Sequence, residues 1–430
     1  MGGPGTDLTG ELEWRGMVHQ VTSPDLGDRL RSESTPGYVG FDATADSLHV
    51  GSLLPLIGLQ RLQRAGHPPV AILGGGTSLI GDPSGKQSER PLLSVEQIRA
   101  NAEGIRRQVE GFLDFGTGPA QARLLDNYDW LGSMPLTTFL RDVGKHFSVN
   151  VMMTKDSVRS RLAEREQGIS YTEFSYVLLQ AYDFLHLFED HGVRLQMGGS
   201  DQWGNITAGV DLIRRIHGAE VYGLTWPLMT KADGTKFGKT EQGNVWLDSA
   251  RTSPYQFFQF WVRTDDRDVG RFLRLLTAVD REQIDELEAE VARAPERRRA
   301  QQVLAWEVTA AVHGPAEAHA AKATAEALYR GDLASMSERA LLDAFSEAPS
   351  TSVPRADLGD GQLTVGALLT RTGLEPSRSA AQRTVAQGGA YVNNRRETDA
   401  DRVVGEDDLL AGSYLVLRKG KREYHLVRFG

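Results

Sequence analysis

A histidine followed after one residue by glycine and then serine, His49-Val50-Gly51-Ser52, stands where a strand-like segment gives way to a helical one. Such a turn sets an imidazole beside the unpaired amides of a helix N-terminus, where phosphate oxygens are stabilised by partial positive charge. The glycine lets a flat base or a sugar approach the backbone. A second stretch, Lys236-Phe237-Gly238-Lys239-Thr240, puts two ammonium groups around a glycine in a loop too polar for a core strand. Lysines are compact point charges on flexible stems, suited to closing over a polyphosphate. Either stretch alone reads as a structural turn or an exposed basic loop; together they point to a triphosphate held from two sides.

The run GGGTSLIGDPSGK looks like a third phosphate loop and fails two tests. A dinucleotide fingerprint needs G-x-G-x-x-G, and Leu79 stands where the third glycine belongs after Gly74 and Gly76. A P-loop needs a glycine five residues before the Gly85-Lys86 pair, and Ile80 stands there. Taken alone, the run is equally well a tight turn. A more specific signal lies at Tyr176, Gln180 and Asp183, whose spacings of four and three put three polar groups on one helix face. Their neighbours Val177, Leu178, Leu179, Phe184 and Leu185 are apolar, which suggests a helix lining a polar pocket; an exposed polar face is the alternative.

The elements that position these groups follow from hydrophobic period. Residues 38–41 and 70–73 are short apolar runs, and Leu53, Leu56, Ile57 and Leu62 recur at helical spacing up to Gly66. Strand, helix (about 50–65), strand is a βαβ unit, which implies a right-handed crossover, parallel pairing and ligand groups at strand carboxyl ends. The pattern repeats with a strand around 193–197, a Gly-Gly turn and a helix from about Trp203. Ser253-Pro254 opens a helical stretch with proline at its first position. Pro, Ser, Gly and Asp interrupt it at 346–360, the composition of a linker. Beyond, helical pieces (363–371 and 377–388) alternate with short strands.

Composition excludes several classes. The 430 residues contain no cysteine, so disulfides, thiolate nucleophiles and Cys-based zinc sites are ruled out. No apolar run approaches the roughly 18 residues of a membrane helix, and the amino end has neither a basic nor an apolar leader segment, so a cytoplasmic protein is expected. The net charge of −9 argues against a chain coated all over with nucleic acid. Residues 371–430 hold eleven Lys and Arg against eight Asp and Glu, whereas the rest holds 37 against 49. That weakly basic tail is compatible with RNA and equally with a plain solvated surface.

The combination YVGFDATADSLHVGS, GGGTSLIGDPSGKQSER, YTEFSYVLLQAYDFL, GGSDQWGNI and KFGKT resembles the bacterial tyrosyl-tRNA synthetases, a family of class I aminoacyl-tRNA synthetases. SRSAAQRTVAQGGAYVNNRRE is similar to the S4-like RNA-binding module at their carboxyl end, so the likeness covers nearly the whole chain in order. It implies an α/β fold: a Rossmann-like parallel-sheet catalytic domain (1–245, with a dimer-interface region at about 130–165), then a helical anticodon-side domain (246–345), the linker (346–360) and a small α+β S4-like module (361–430). It also implies a tyrosine–tRNA ligase reaction. Tyrosine and ATP give tyrosyl-adenylate and pyrophosphate, and the tyrosyl group then passes to the terminal ribose of tRNA.

The chemistry of step one agrees with the residue inventory. The attacking carboxylate is already ionised at neutral pH, so alignment and charge stabilisation are needed rather than a base. By the resemblance, His49, Thr44, Lys236 and Lys239 bind the phosphates, joined by Lys86 and Arg90. Asp42, Gly51, Ser52, Gly199, Asp201 and Thr240 fall where the family holds the nucleotide. Tyr38 and Asp183 would bind the phenol hydroxyl; Asp82, Tyr176 and Gln180 the ammonium group; Gln202 lies near the carboxylate. Arg214 and Arg215 are candidates for the tRNA acceptor arm. Magnesium would arrive with ATP, no tightly bound cofactor or dedicated metal cage is expected, and the partners are tyrosine, ATP, tRNA and a second copy of the chain. Ser52 departs from the family's usual HxGH, where its hydroxyl is expected to donate to a ribose oxygen or to cap the helix. Two other readings stay open: a small-molecule nucleotidyltransferase that uses no RNA, and a catalytically inactive RNA-binding paralogue.

Overall fold

Short apolar runs that end in glycine or a polar residue form the sheet on which everything else is mounted. The computed structural model describes residues 7–430 except 85–92, 156–157, 160–167, 236, 241–242, 347, 359–360, 362 and 421–422, and gives only the backbone of Lys239 and Thr240. Strands β1 (Gln20–Val21), β2 (Gly37–Phe41), β3 (Pro69–Leu73), β4 (Arg123–Asp126), β5 (Leu195–Gly199) and β6 (Tyr222–Trp226) make one six-stranded sheet in the order β1-β6-β5-β2-β3-β4. Only the β1–β6 pair is antiparallel. The chain winds from β2 through β3 to β4 on one side and from β5 to β6 on the other, so the winding direction reverses between β2 and β5. In a doubly wound sheet the crevice at that reversal, beyond the strand carboxyl ends, is where ligands bind.

The crossover helix Leu53–Arg64 buries Leu53, Leu54, Leu56, Ile57, Leu59 and Leu62, as its spacing predicts. It starts later than expected, because Val50–Ser52 first form a turn of 3₁₀ helix. Pro55 sits in the first α turn, where a missing N–H removes no intrahelical bond. The long helix Tyr171–His191 ends at Gly192 in the left-handed conformation (φ 66°), with the Val193 amide closing back on the Leu187 carbonyl (3.0 Å). That closure delays the next strand to Leu195, two residues past the expected start. The helix Trp203–His217 packs against it, over a core that includes Tyr38, Val70, Ile72, Ala181, Phe184, Leu185, Leu212 and Ile213.

The chain forms two compact units, Met1–Arg251 with Thr264–Leu304 and Thr252–Arg263 with Ala305–Gly430. The expected helical domain at 246–345 is therefore divided: helices Asp266–Leu276 and Arg281–Arg293 belong to the sheet unit, whereas Pro254–Val262, Pro315–Arg330 and Glu338–Ala344 belong to the second. Helical periodicity reveals that a face is apolar without saying what covers it. The helix at Pro254 does start as predicted, with Ser253 and Gln256 forming a reciprocal capping box. The expected linker at 346–360 is also corrected. Ser350–Val353 is a strand that pairs parallel with the strand Glu423–Phe429 at the edge of a five-stranded sheet, and Arg355–Leu358 is a 3₁₀ turn. Its Ser-Thr-Ser-Val composition hides an edge strand that is mostly solvated. Helices Val365–Arg371 and Arg378–Ala386 cover that sheet through Leu368, Leu369, Ala381 and Val385.

Candidate active site

A cavity of about 590 Å³ opens at the carboxyl ends of β2 and β5, and thirteen of the predicted residues line it: Tyr38, Asp42, Thr44, His49, Gly51, Ser52, Asp82, Tyr176, Gln180, Asp183, Gly199, Asp201 and Gln202. They arrive from the end of β2 and its following turn, from the glycine-rich loop after β3, from the Tyr171–His191 helix and from the turn after β5. Residues as far apart in sequence as Tyr38 and Gln202 thus share one cavity because the parallel strands β2–β6 put their carboxyl ends on the same side.

At one end of the cavity His49 precedes the 3₁₀ turn, and its Nδ1 accepts the Gly51 amide (3.0 Å). An accepting Nδ1 leaves the proton of the neutral ring on Nε2, so the imidazole presents a donor on its other edge. Residues 48–50 pair with 245–247: the Val50 amide donates to the Val245 carbonyl (3.0 Å) and the Leu247 amide to the Leu48 carbonyl (2.9 Å). The chain leaving the KFGKT segment is thereby joined to the HVGS turn. Gly238 seals the junction in the left-handed region (φ 85°), where an added Cβ would lie 2.8 Å from Val50 Cγ2. Trp246 also lines the cavity, edge-on to His49, with the Arg251 guanidinium 3.5 Å from its ring centre. Ser52 lines the cavity but does not cap the helix: its backbone is already helical (φ −88°, ψ −2°) and its hydroxyl makes no capping bond. The capping expectation is corrected, because His49 occupies that role one turn earlier.

The opposite end is buried and polar. The Tyr38 hydroxyl has no hydrogen-bond partner among the described residues, and burial, then the nearby Asp183 charge, raises its pKa well above the ordinary value. Asp183, 4 % exposed, accepts from Asn127 Nδ2 (2.9 Å) and Trp130 Nε1 (2.7 Å). Burial pushes its carboxyl up to about 7 against those two donors. Between the two ends, Asp82 accepts from Gln202 Nε2 (2.7 Å) and the Ser84 amide (2.8 Å), and Gln180 donates to Gln202 (3.1 Å) and accepts from Asn205 (2.9 Å). Asp201 is held above the usual carboxylate range, first by burial and then by the charge of Asp82. The middle of the cavity is therefore an acidic, hydrogen-bonded frame suited to a cation such as an ammonium group.

Lys86, Arg90 and Lys236 lie outside the described residues, and Lys239 and Thr240 are described only as backbone, in a two-residue strand paired with Gly243–Asn244. Arg214 and Arg215 lie away from the cavity; Arg214 pairs with Asp211 (2.8 Å) and Arg215 donates to the His146 carbonyl (3.1 Å), both exposed. Asn127 and Trp130 were missed by sequence reasoning. Asn127 also accepts the Gly76 amide (2.8 Å) and donates to Thr77, so it ties the glycine-rich loop to Asp183. The available signal was its place just after β4, another carboxyl end of the parallel sheet. Among the described residues no three His, Cys, Asp or Glu side chains converge as a metal site would require, and no helix is long and apolar enough to cross a membrane.

Comparison with known proteins is consistent along the whole chain. Residues 32–330 match the family model described as tRNA synthetases class I (W and Y), and residues 343–427 match the tyrosine–tRNA ligase SYY-like C-terminal domain. The tyrosine–tRNA ligase of Roseiflexus castenholzii is 55% identical over 424 residues, 98% of this chain and 99% of the relative. That of Bacillus caldotenax is 50% identical over 425 residues, 98% and 100% of the two chains. Among solved structures, a C-terminally truncated mitochondrial tyrosyl-tRNA synthetase of Aspergillus nidulans superposes with a TM-score of 0.68 at 31% identity, covering 75% of this chain and 94% of its own.

Proposed function

We propose, because this chain belongs to the tyrosine–tRNA ligases of the class I tRNA synthetases, that its cavity aligns tyrosine and ATP end to end: the phenol at Asp183 and Tyr38, the ammonium at Asp82, Tyr176 and Gln180, the triphosphate at His49. The observation that carries the reading is Asp183, a buried carboxylate beside an unpartnered buried tyrosine hydroxyl at the closed end of the cavity. A phenol hydroxyl entering there finds an acceptor and a donor. Phenylalanine would leave both unpaired, which is costly; enzymes that charge tRNA with tyrosine are themselves the standard example of this rule.

In the first step a tyrosine carboxylate oxygen bonds to the α-phosphorus as the bond to pyrophosphate breaks. Negative charge grows on the phosphate oxygens, and the Nε2–H of His49 with the lysines of KFGKT stabilises it. Magnesium enters as part of the ATP substrate and shares that neutralisation. Asp42, Gly51, Ser52, Gly199 and Asp201 hold the nucleoside, and Gln202 orients the tyrosine carboxylate through its bond to Asp82. In the second step a ribose hydroxyl of tRNA attacks the tyrosyl carbonyl and AMP leaves. The basic carboxyl-terminal module, and Arg214 and Arg215, would contact the RNA, where affinity is largely electrostatic. The inactive-paralogue reading has no support in the relatives, which are ligases along their full length.

Tyrosine-dependent exchange of pyrophosphate into ATP, followed by transfer of labelled tyrosine to tRNA, tests the reading. Exchange absent at saturating tyrosine would remove step one; adenylate without transfer would remove step two. Ser52→His is expected to change the KM for ATP more than that for tyrosine, since position 52 belongs to the proposed nucleotide contacts; the reverse order would make the residue structural.

The chain also reads as a homodimer. Leu136, Leu140, Val149, Val151 and Met153 are exposed, while Phe139, Val143 and Phe147 from the same segment pack into the core. A segment with one apolar face buried and a second one open fits a partner copy. Leu136→Asp combined with Val149→Asp is expected to shift the protein to monomers in sedimentation equilibrium, and an unchanged dimer mass would place the interface elsewhere.

A further inference from the structure

The loop leading into KFGKT is gripped by a helix that none of the site residues belongs to. Residues 231–235 fold as a tight turn, with the Gly234 amide on the Lys231 carbonyl (2.9 Å) and Asp233 accepting the Thr235 amide (2.9 Å) and hydroxyl (2.6 Å). The turn is fastened to the first two turns of the helix Asp266–Leu276. Asp268, 4 % exposed, accepts the Ala232 amide (2.9 Å), the Arg271 guanidinium donates to the Thr230 carbonyl, and the rings of Phe237 and Phe272 meet at 4.7 Å. Arg271 also lies 3.6 Å from Asp268, so the two anchoring groups are paired.

The far end of the same helix is fastened to the helix that starts from the HVGS turn. Arg61 of Leu53–Arg64 donates to the Arg274 (3.2 Å) and Thr277 (2.9 Å) carbonyls, and Arg15 donates to the same two carbonyls and to that of Val279 (3.2 Å). Two largely buried guanidinium groups thus satisfy the carbonyls that a helix leaves unpaired at its C-terminus, where cations are also favoured by its dipole. One rigid element is bonded at one end to the loop of the second phosphate motif and at the other to the helix of the first.

We propose that Asp268 and Arg271 are positioning residues for adenylate formation, holding the Thr230–Thr235 turn that leads into KFGKT in register so that its lysines meet the triphosphate opposite His49. The proposal rests on the reading of the cavity as the tyrosine and ATP site. Neither residue touches a substrate; each acts through the backbone of the loop. Misplacement of a phosphate-binding group by a fraction of an ångström to 1 Å is enough to cost on the order of 10- to 100-fold in rate.

The test uses the full-length protein, with pyrophosphate exchange at varied ATP and tyrosine, and tyrosine affinity measured separately by equilibrium binding without ATP. Asp268→Ala is expected to lower exchange kcat on the order of 10-fold or more and to raise the KM for ATP, with tyrosine affinity unchanged. Asp268→Asn, which retains an acceptor for the Ala232 amide, should recover most of the rate. Arg271→Ala, at a half-exposed position, should reproduce the defect at an unaltered Tm and decides the matter if Asp268→Ala does not fold. Wild-type exchange kinetics in Arg271→Ala, or an Asp268→Ala variant whose tyrosine and ATP affinities both weaken to the same extent at unchanged kcat, would overturn the proposal. A wild-type protein without tyrosine-dependent exchange would instead overturn the reading of the site.

Discussion

Asp183→Asn should weaken tyrosine binding about 10- to 150-fold, the loss that follows from removing a hydrogen bond to a charged group worth about 1.5–3 kcal/mol. The carboxylate is 4 % exposed and its oxygens are already divided between Asn127 and Trp130, which fixes the direction from which a third donor can approach. An asparagine offers one acceptor oxygen to three donors and carries no charge. Equilibrium binding of tyrosine in the absence of ATP reads the effect directly, and the KM for ATP should change little because the residues proposed to hold the nucleotide lie at the other end of the cavity. Discrimination against phenylalanine should narrow at the same time. An unchanged tyrosine affinity would mean that the phenol is recognised elsewhere.

The same residue sets a pH dependence. Burial pushes the Asp183 carboxyl up to about 7, so near neutrality the empty site is a mixture of ionised and protonated forms. The phenol of tyrosine donates its proton, and the ionised carboxylate is the form that accepts it. Tyrosine affinity should therefore fall as the pH drops through 7 toward 5, an interval in which tyrosine itself does not titrate. Asp183→Asn should show a flat profile across that interval. A wild-type profile as flat as the variant's would show that the carboxyl titrates outside it.

The second large effect is expected at His49. Its Nδ1 accepts the Gly51 amide, so the proton of the neutral ring sits on Nε2, and in the proposed reading that N–H donates to the phosphates. A donor directed at charge that develops only as pyrophosphate leaves contributes to the transition state rather than to binding of the substrates. His49→Ala should therefore lower exchange kcat by about 100- to 1,000-fold, corresponding to the roughly 2.7–4 kcal/mol of one preorganised donor. Tyrosine affinity should be retained. A variant whose KM for ATP rises while kcat holds would make His49 a ground-state contact.

The two ends of the site were legible to different degrees. His49, Gly51 and the KFGKT loop announce themselves because phosphate chemistry calls for amides, glycines and lysines at fixed short spacings. The Tyr176, Gln180 and Asp183 face is legible because helical geometry maps spacings of four and three onto one side. Asn127 and Trp130 are not, since their importance lies in touching Asp183, 56 and 53 residues further on. The serine at position 52 invited a capping role from its residue type alone, yet the 3₁₀ turn in front of it left nothing for it to cap. The strand Ser350–Val353 was mistaken for linker because an edge strand that is mostly solvated has no apolar alternation to display.

What the amino-acid order determined by itself is local: the βαβ period, the glycine breaks, the polar helix face and the two phosphate motifs, all set by interactions between residues a few positions apart. Tertiary structure alone decided which of these meet. The reversal of winding between β2 and β5 opens the cavity, the pairing of residues 48–50 with 245–247 joins the HVGS turn to the chain leaving KFGKT, and the Asp266–Leu276 helix packs with the sheet unit. Those outcomes depend on burying apolar faces against partners far away in the chain, and a period reveals such a face without identifying its partner.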